Sequence, residues 1–286
     1  MGLDWRLQIV KRAIVARIPF GNALRRLKRR VMGYEPDPKN IDYTIANFEQ
    51  MGEALAAEGR SFTGATVLEI GSGWFPVIPI LLAQHDVRHV FMTDLIPHMD
   101  ETTFAATLRY MKGARPDTGF LAAVNRFDDL PATYLAPFDP ALVTDGSLDY
   151  VLSRTVLEHI EPDDIVAVLS AMRPKLKPGG LMIHFIDNSD HLEFGDKSIS
   201  RIHFLTLSEQ RHALINRLIR DGENRLRHHE YPALFERAGF RVVSASGFVH
   251  EPTKSSASTL RLTAPFSDMR PEDLATLTSI YVLAGK

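Results

Sequence analysis

The chain has 286 residues, of which 45% are apolar, a net charge of −2 and no cysteine. The absence of cysteine excludes disulfides, thiolate metal ligands and a cysteine nucleophile, and it suits a reducing cytosol. No apolar run approaches the roughly 18 to 20 residues that span a bilayer, and basic residues within the first 20 do not fit a secretory signal. We therefore expect a cytoplasmic protein with one full α/β domain and an added lobe.

The first 30 residues form a basic arm. They contain nine Lys or Arg residues and one acid, so their balance is +8 and the remaining chain carries about −10. Apolar residues at helical spacing before and after Pro19 predict a pair of amphipathic helices. Two hypotheses stay open: the helices pack on their own domain, or residues 1–32 contact the anionic inner face of a membrane. Nucleic acid is not an expected partner, because nothing in the chain resembles a nucleic-acid-binding module.

Strands and helices alternate after a turn-rich linker at 33–40 and a predicted helix at 41–60. The predicted strands lie at 66–70, 89–94, 119–124, 147–154, 181–186, 241–248 and 278–286. The predicted helices lie at 77–85, 100–112, 163–176 and 231–240. This alternation is typical of a doubly wound α/β sheet, in which ligands bind at the carboxyl ends of the strands. We divide the chain into an N-terminal basic helical extension, residues 1–60, and a main domain, residues 61–286.

The segment VLEIGSGWFPVIP, residues 67–79, predicts a strand, a tight turn and a helix. It lacks the phosphate-loop pattern GxxxxGK[ST], and Pro76 stands where a dinucleotide GxGxxG motif needs its third glycine. What remains is Glu69 with Gly71 and Gly73, an acidic turn whose small residues let a ligand lie against the backbone. Such a turn suits a cationic ligand better than a phosphate.

The predicted second strand ends in Asp94. A carboxylate at this place can accept hydrogen bonds from both hydroxyls of a ribose, as in other nucleoside-binding α/β folds. Together with the acidic turn before it, Asp94 predicts an adenosine ligand that carries a positive group instead of a diphosphate. S-adenosylmethionine has this chemistry, because it joins an adenosine to a sulfonium cation.

Four segments, in order, resemble the motifs of class I S-adenosylmethionine-dependent methyltransferases. They are VLEIGSG, the TD that closes the second predicted strand, SLDYVLSRTVLEHIEP and LKPGGLMIHFID. The resemblance covers about residues 60–190, and the closing helix and strand pair extend it over 228–286. It implies a Rossmann-like, mostly parallel sheet with a terminal antiparallel strand. Phe75 departs from the family, which usually has a third glycine there, and GWFPVIP is similar to a subgroup linked to bacterial carbohydrate and surface-polymer genes.

The resemblance also implies contacts to S-adenosylmethionine by position. The residues carried over are Glu69, Gly71, Gly73, Asp94, Asp128, Asp129, Ser153 and Arg154. Glu69 and the two glycines would line the methionine and ribose side, and Asp94 would bind the ribose hydroxyls. One acid of the FDDLP segment would reach the adenine amino group, and the pair at the end of the fourth strand would flank the transferred methyl group. The alternative for Glu69 and Asp94 is capping of the helices that follow them.

Two polar clusters could supply the general base that a hydroxyl acceptor needs. One is Glu158 with the histidine after it, and the other is the segment HFIDNSDH at 184–191. An imidazole oriented by a carboxylate is the usual arrangement of a general base. The predicted catalytic residues are His191, His184, Asp187 and His159. In the preferred arrangement Asp187 orients one of the two histidines of the second cluster. That cluster also resembles a metal-ligand set, or a polar loop whose acids form turns, and we predict no metal site.

The segment 187–230 is too long for a plain connection between a strand and a helix. It holds five of the eleven histidines and six arginines, and it would lie over the carboxyl end of the sheet. We interpret it as an acceptor lid whose Arg201, Arg225 and Arg227 bind a carboxylate or phosphate of the acceptor. A solvated helical face is the alternative for the other arginines.

These features predict an S-adenosylmethionine-dependent methyltransferase that acts on an oxygen, or as second choice a nitrogen, of a small-molecule or glycan-type acceptor. Two alternatives stay open. A nucleotide-dependent oxidoreductase or epimerase could use a similar sheet, although Pro76 and the lack of a Tyr-x-x-x-Lys motif disfavour it. A methyltransferase-like protein without activity could serve as a membrane-surface or assembly partner.

Overall fold

A computed structural model describes residues 2–33, 35–114 and 119–286, except for the side chain of Asn22. Its strands are β1 (Thr66–Ile70), β2 (His89–Thr93), β3 (Ala132–Leu135), β4 (Leu148–Arg154), β5 (Leu176–Asp187), β6 (Phe240–Val249) and β7 (Thr276–Gly285). They form one sheet in the order β3-β2-β1-β4-β5-β7-β6. Strands β1 to β5 pair in parallel, whereas β7 runs antiparallel to both β5 and β6. The predicted doubly wound sheet with a terminal antiparallel strand is confirmed.

Helices cover both faces of this sheet. The helices of the described residues are α1 (Trp5–Val15), α2 (Gly21–Met32), α3 (Pro38–Ala57), α4 (Val77–Gln84), α5 (Glu101–Ala114), α6 (Gly119–Ala123), α7 (Pro162–Met172), α8 (Glu209–Ile219), α9 (Tyr231–Arg237), α10 (Glu251–Ala257) and α11 (Pro271–Ala275). The α3 face of the sheet packs against α3, α4 and α5, and the α9 face packs against α7 and α9. Val67 and Leu68, consecutive in β1, are buried on opposite faces, as the period-two alternation of a strand requires.

The prediction of a strand at 119–124 is wrong. Residues Gly119–Ala123 form α6, and the third strand lies further along, at Ala132–Leu135. The segment GFLAAV is a short apolar run, and periodicity alone cannot distinguish a buried helix from a strand in such a run. The error matters for the site, because the acids of FDDLP precede β3 instead of following it.

The predicted lid segment folds as part of a separate lobe at the carboxyl end of the sheet. We call this the lid lobe; it comprises 187–230, which begins at the last residue of β5, and 250–275, which lies between β6 and β7. The second of these insertions is not recognisable in the sequence as part of a lid. A hydrophobic cluster of its own holds the lobe together, and Trp5 of α1 belongs to that cluster.

The two helices of the basic arm have different surroundings. Helix α1 packs on the lid lobe: the N–H of Trp5 donates to Asp196 at 2.9 Å, and Arg12 pairs with Asp221 at 3.1 Å. Helix α2 lies beside the turn after β1, where the guanidinium of Arg29 is 3.9 Å from the ring centroid of Trp74. Helix α3 belongs to the main core, so packing continues across the predicted boundary at residue 60. No described helix combines the length and apolarity that crossing a membrane requires.

Candidate active site

The turn after β1 brings the backbone close to neighbouring elements. Gly71 and Gly73 have φ values of +74° and +64°, which L side chains rarely adopt. A Cβ atom on Gly71 would lie 2.6 Å from Cγ2 of Val156, whereas one on Gly73 would meet no atom within 4 Å. The N–H groups of Gly71 and Ser72 both donate to the carbonyl of Thr93 at 2.9 Å. The turn is therefore tied to the end of β2, and Gly73 leaves room for a ligand against the backbone.

Asp94 follows β2 and lies beside this turn. Its Oδ2 accepts the N–H of Gly73 at 3.0 Å, and its Oδ1 accepts the N–H of Leu95 at 2.7 Å. The carbonyl of Asp94 accepts the N–H of Phe138, so the chain that leaves β3 is joined to the same place. Each carboxylate oxygen can accept a second hydrogen bond. Holding the turn is thus compatible with the predicted ribose contact, which stays a prediction.

Glu69 lies one residue before the end of β1, on the α3 face. It is 4% exposed, and its Oε2 has no hydrogen-bond partner within the described parts of the chain. Burial raises the pKa of Glu69 to about 7, although the nearby Ser72 hydroxyl and the charge of Arg154 oppose this shift. Buried carboxylate oxygens in native proteins usually have a hydrogen-bond donor, and a bound ligand is one possible source of it. The ammonium group of S-adenosylmethionine would supply one, so Glu69 fits the predicted cofactor.

The alternation of side chains along the strands separates two of the predicted residues from the rest. Glu69, Arg154 and Asp187 lie on the α3 face, where the charges of both acids act on Arg154. Ser153 and His184 lie on the α9 face, with Ser153 Oγ 2.7 Å from His184 Nδ1. His184 is fully buried beside an aromatic ring of α9, and burial lowers its pKa to about 3. Two predictions are therefore corrected: His184 cannot act as a base with Asp187, and the Ser153 side chain points away from the donor turn.

The acids of the FDDLP segment lie at the wrong end of the sheet for an adenine contact. Asp128 and Asp129 precede β3, whereas Asp94 follows the parallel strand β2. The four residues of β3, about 10 Å of extended chain, separate these two ends. Both acids are exposed; Asp128 pairs with Arg126, and Asp129 accepts two backbone N–H groups. The prediction that Asp128 or Asp129 contacts the adenine therefore disagrees with the structure. Residues 136–139, which follow β3, lie at the same end of the sheet as Asp94.

The predicted residues His159 and His191 meet beyond the ends of β4 and β5, with ring centroids 4.9 Å apart. We call them the histidine pair. Nδ1 of His159 lies 3.0 Å from Oδ1 of Asp221. Nε2 of His191 lies 3.8 Å from Oδ2 of Asp187, and its Nδ1 lies 3.7 Å from Oε1 of Glu223. Both imidazoles are thus flanked by carboxyl groups, and Asp187 links the pair to the α3 face.

The two imidazoles have opposite pKa shifts. Burial alone would lower the pKa of His159, but the hydrogen bond and charge of Asp221 outweigh it and raise the pKa above its usual value. Burial lowers the pKa of His191, and the charge of His159 adds to this effect against the opposing charge of Asp187. Burial also raises the pKa of Glu223 well above its usual value. His191 is therefore the neutral imidazole of the pair, and it can accept a proton.

Glu158 completes the set of titratable groups around the histidine pair. It is 2% exposed; its Oε1 accepts the N–H of Asp187 at 3.3 Å, and its Oε2 has no partner among the residues described. Burial raises the pKa of Glu158 to about 8, against the opposing charge of His159. Potential ligand atoms of Glu158, His159 and His191 lie within 4.8 Å of one another, a spacing that a metal ion could bridge. This set differs from the 184–191 segment considered from sequence, and the absence of a metal site stays a prediction.

The three arginines predicted to bind the acceptor make contacts within the lid lobe. Arg201 lies 3.9 Å from a carboxylate oxygen of Glu193. Arg225 donates to the carbonyl of Leu207 at 2.7 Å and pairs with an exposed glutamate of α8. Arg227 is fully buried, and its guanidinium donates to the backbone carbonyls of Asn188, Leu274 and Thr276. We assign Arg225 to holding the lid lobe together and Arg227 to holding it on β7, in place of the predicted acceptor contact.

Some residues of the site are not marked by any local motif in the sequence. Tyr43 and Asn47 of α3 reach the α3 face, and Oδ1 of Asn47 accepts a hydrogen bond from Arg154 at 3.3 Å. Burial raises the pKa of Tyr43, and the charge of Asp187 adds to the shift. Asp221 and Glu223 of the lid lobe, which flank the histidine pair, follow α8. They reach the histidine pair only through tertiary contacts. Helical spacing alone would assign the α3 residues to packing.

A sheet of this order, with β7 reversed and a glycine turn between the acidic ends of β1 and β2, defines an S-adenosylmethionine-dependent methyltransferase. A family model described as a methyltransferase domain matches residues 23–245 of the chain. The chain belongs to this methyltransferase-domain family. S-adenosylmethionine is the methyl donor, and when bound it supplies an electrophilic methyl group on a sulfonium.

Solved structures with a similar fold are distant in sequence. Magnesium protoporphyrin IX methyltransferase from Synechocystis PCC 6803 is 14% identical, with a TM-score of 0.48 over 96% of this chain and 100% of that one. An S-adenosylmethionine-dependent methyltransferase from Mesorhizobium loti is 15% identical, with a TM-score of 0.45 over 81% and 95%. Phosphoethanolamine N-methyltransferase 2 from Haemonchus contortus is 16% identical, with a TM-score of 0.45 over 82% and 52%. No curated protein matches the chain.

Proposed function

We propose that this methyltransferase methylates a hydroxyl oxygen of a small-molecule or glycan-type acceptor, with His191 as the general base. The observation that supports this most directly is the nearly buried imidazole of His191, 3.8 Å from the carboxylate of Asp187 at the end of β5. A hydroxyl is a weak nucleophile and must lose its proton during transfer, so it needs a base in reach. A histidine whose pKa is lowered by burial is neutral when the acceptor arrives.

The surroundings of His191 hold its ring in one orientation. Its backbone N–H donates to Glu223 at 3.0 Å, and the ring stacks on Phe194 with centroids 5.1 Å apart. Asp187 is fixed in turn, because its Oδ1 accepts both the N–H and the hydroxyl of Ser189, at 2.9 and 2.6 Å. After His191 takes the hydroxyl proton, Asp187 would stabilise the imidazolium. A preoriented base of this kind contributes through alignment as well as proton transfer.

The donor side would be held by the residues around the turn after β1. Glu69 and the open backbone at Gly73 would contact the methionine part, and Asp94 would contact the ribose. Arg154, between the donor side and the histidine pair, has a charge that acts on both Glu69 and Asp187. A positive charge between two acids is attracted to both of them, so Arg154 would link the donor side to the acids beside the histidine pair.

The test of the base compares the wild type with His191→Ala. Acceptors would be found by transfer of a labelled methyl group to a panel of hydroxyl compounds. The variant should bind S-adenosylhomocysteine within about threefold of wild type, while its turnover falls by about 10²- to 10⁴-fold. His229→Ala changes an exposed histidine of the lid lobe and should keep full turnover. Wild-type turnover by His191→Ala would reject the role of this residue.

A pH profile and a chelator give two further readouts. Because the base must be neutral, wild-type kcat/KM should rise with pH through a pKa below 6.5, the usual value for histidine, and then level off. Asp187→Asn should lower turnover by weakening the imidazolium. Activity that survives EDTA would agree with the prediction of no metal site, whereas activity restored only by a divalent ion would contradict it. Binding of S-adenosylhomocysteine without transfer to any acceptor would favour the non-catalytic alternative.

We also propose that α2 contacts an anionic membrane surface. Leu24, Leu27 and Val31 recur at helical spacing and are 52%, 57% and 76% exposed. The helix carries five basic residues and no acid. An apolar stripe flanked by cations is typical of helices that lie in a lipid interface. Helix α1 supports the other hypothesis for the arm, because it packs on the lid lobe.

A further inference from the structure

A cavity of about 730 Å³ lies between α1, α2, the chain after β2 and the end of α8. We call it the arm groove. Four of its lining residues are cationic at neutral pH: Lys11, Arg12, Arg25 and Arg220. Three of these come from the basic arm, which the sequence connected with a membrane or with simple packing. Their position in the groove suggests a third role, which is to bind a ligand.

Two lining residues of the arm groove contact residues of the candidate site. On the donor side, its lining residue His98 has Nε2 3.8 Å from Oδ1 of Asp94 and a ring 4.5 Å from that of Trp74. On the other side, its lining residue Asp221 lies 3.0 Å from His159 of the histidine pair. A molecule in the groove would therefore lie between His98, beside Asp94, and Asp221, beside His159.

The groove has more cationic than anionic lining residues. Its single lining carboxylate is that of Asp221, which is shared between Arg12 at 3.1 Å and His159 at 3.0 Å. Within residues 2–33, 35–114 and 119–286, the side chains of Lys11 and Arg220 pair with no carboxylate. Lys11 and Arg220 are therefore the cations of the groove that an anion could pair with. Apolar side chains at Val15 and Ile18, 38% and 44% exposed, line it as well.

We propose that the arm groove binds an anionic group, a phosphate or a carboxylate, of the acceptor. The proposal rests on the hydroxyl methylation proposed above and names the class of acceptor. Cationic side chains that converge in a partly enclosed space bind oxyanions through charge-assisted hydrogen bonds. The acceptor therefore carries an anionic group near the hydroxyl that is methylated. Asp221, held by Arg12, separates this anion from the histidine pair.

The experiment measures anion binding directly, so it does not depend on turnover. The probes are inorganic phosphate and acetate, titrated against the full chain saturated with S-adenosylhomocysteine and followed by calorimetry. The groove variant is Lys11→Gln with Arg220→Asn, because Asn tolerates the left-handed backbone, φ +55°, at residue 220. The matched control is Lys28→Gln with Arg30→Gln, which removes the same charge from exposed positions of α2.

We expect the wild type and the control to bind one of the probes, and the groove variant to bind it at least about 10-fold more weakly. The stronger probe identifies the anionic group as phosphate or carboxylate. Equal binding by the groove variant and the control would overturn the proposal. So would loss of S-adenosylhomocysteine affinity in the groove variant, because the groove would then belong to the donor. His191→Ala should leave anion binding unchanged, so failure of the proposed base and failure of the groove give different results.

Discussion

The buried carboxyl group of Glu158 makes a measurable prediction about stability. Its pKa rises from 4.5 to about 8, mainly because the side chain is buried, and the charge of Asp187 adds to this. In the unfolded chain the same group ionises near pH 4.5. Between these two values the folded state keeps a proton that the unfolded state has lost. The contribution of this group to stability is therefore complete below pH 4.5 and is lost as the pH rises towards 8.

The magnitude follows from the number of protons that differ. One proton held only by the folded state lowers the free energy of unfolding by roughly 1.4 kcal/mol per pH unit, so the loss between pH 5 and pH 7 is at most about 3 kcal/mol. Glu158→Gln removes this titration while keeping an oxygen that can accept the N–H of Asp187. The variant should therefore lose less stability than the wild type over this interval.

The assay is urea unfolding of wild type and variant at pH 5, 6 and 7, in EDTA and without cofactor. The difference in unfolding free energy between the two proteins should change by up to about 3 kcal/mol across the series, in favour of the variant at the higher pH. Glu161 is an exposed glutamate three residues further on, and Glu161→Gln should show the same pH dependence of the unfolding free energy as the wild type. If the unfolding free energy of Glu158→Gln also follows that of the wild type across this pH range, the carboxyl group is not protonated in the folded protein and the reasoning from burial fails.

Two other predictions concern the donor turn and the arm. Gly71→Ala should weaken S-adenosylhomocysteine binding by about 10-fold or more, because a Cβ would combine left-handed strain with a 2.6 Å contact. Gly73→Ala has the strain without the clash and should weaken binding less, as calorimetry would show; equal effects would refute the steric argument. Changing Leu24, Leu27 and Val31 together to Ser should abolish flotation with vesicles rich in phosphatidylglycerol, while unfolding by urea stays within about 1 kcal/mol of wild type because these side chains are exposed. Undiminished flotation of this variant would remove the membrane role from α2.

Local patterns in the sequence were sufficient for most of the sheet. The strands around Glu69 and Asp94 are recognisable because buried parallel strands alternate with helices at regular spacing. The third strand was misplaced because a five-residue helix and a four-residue strand both offer only short apolar runs. That single error moved the predicted adenine contact to Asp128 and Asp129, at the opposite end of the sheet.

The histidines show where local reasoning was enough and where it could not be. The strand alternation already separates His184 from Asp187, so choosing between His184 and His191 was possible from the pattern alone. The approach of His159 to His191, and the acids that flank them, depend on how the lid lobe folds back over the sheet. Arg12 could not be connected with the site from sequence, because it lies 209 positions before its partner Asp221 in the chain.

The position of Arg12 has a consequence for how acceptor selectivity can evolve. The family model begins at residue 23, so Trp5, Arg12 and the rest of α1 lie outside the part of the chain that matches it. The shared segment contains the donor turn, whereas one wall of the arm groove is built from outside it. Selection could therefore exchange or retune α1 to admit a different acceptor without disturbing donor binding. In this protein the donor site would then be the part shared with the family, and the wall of the groove formed by α1 the part that can vary with the acceptor.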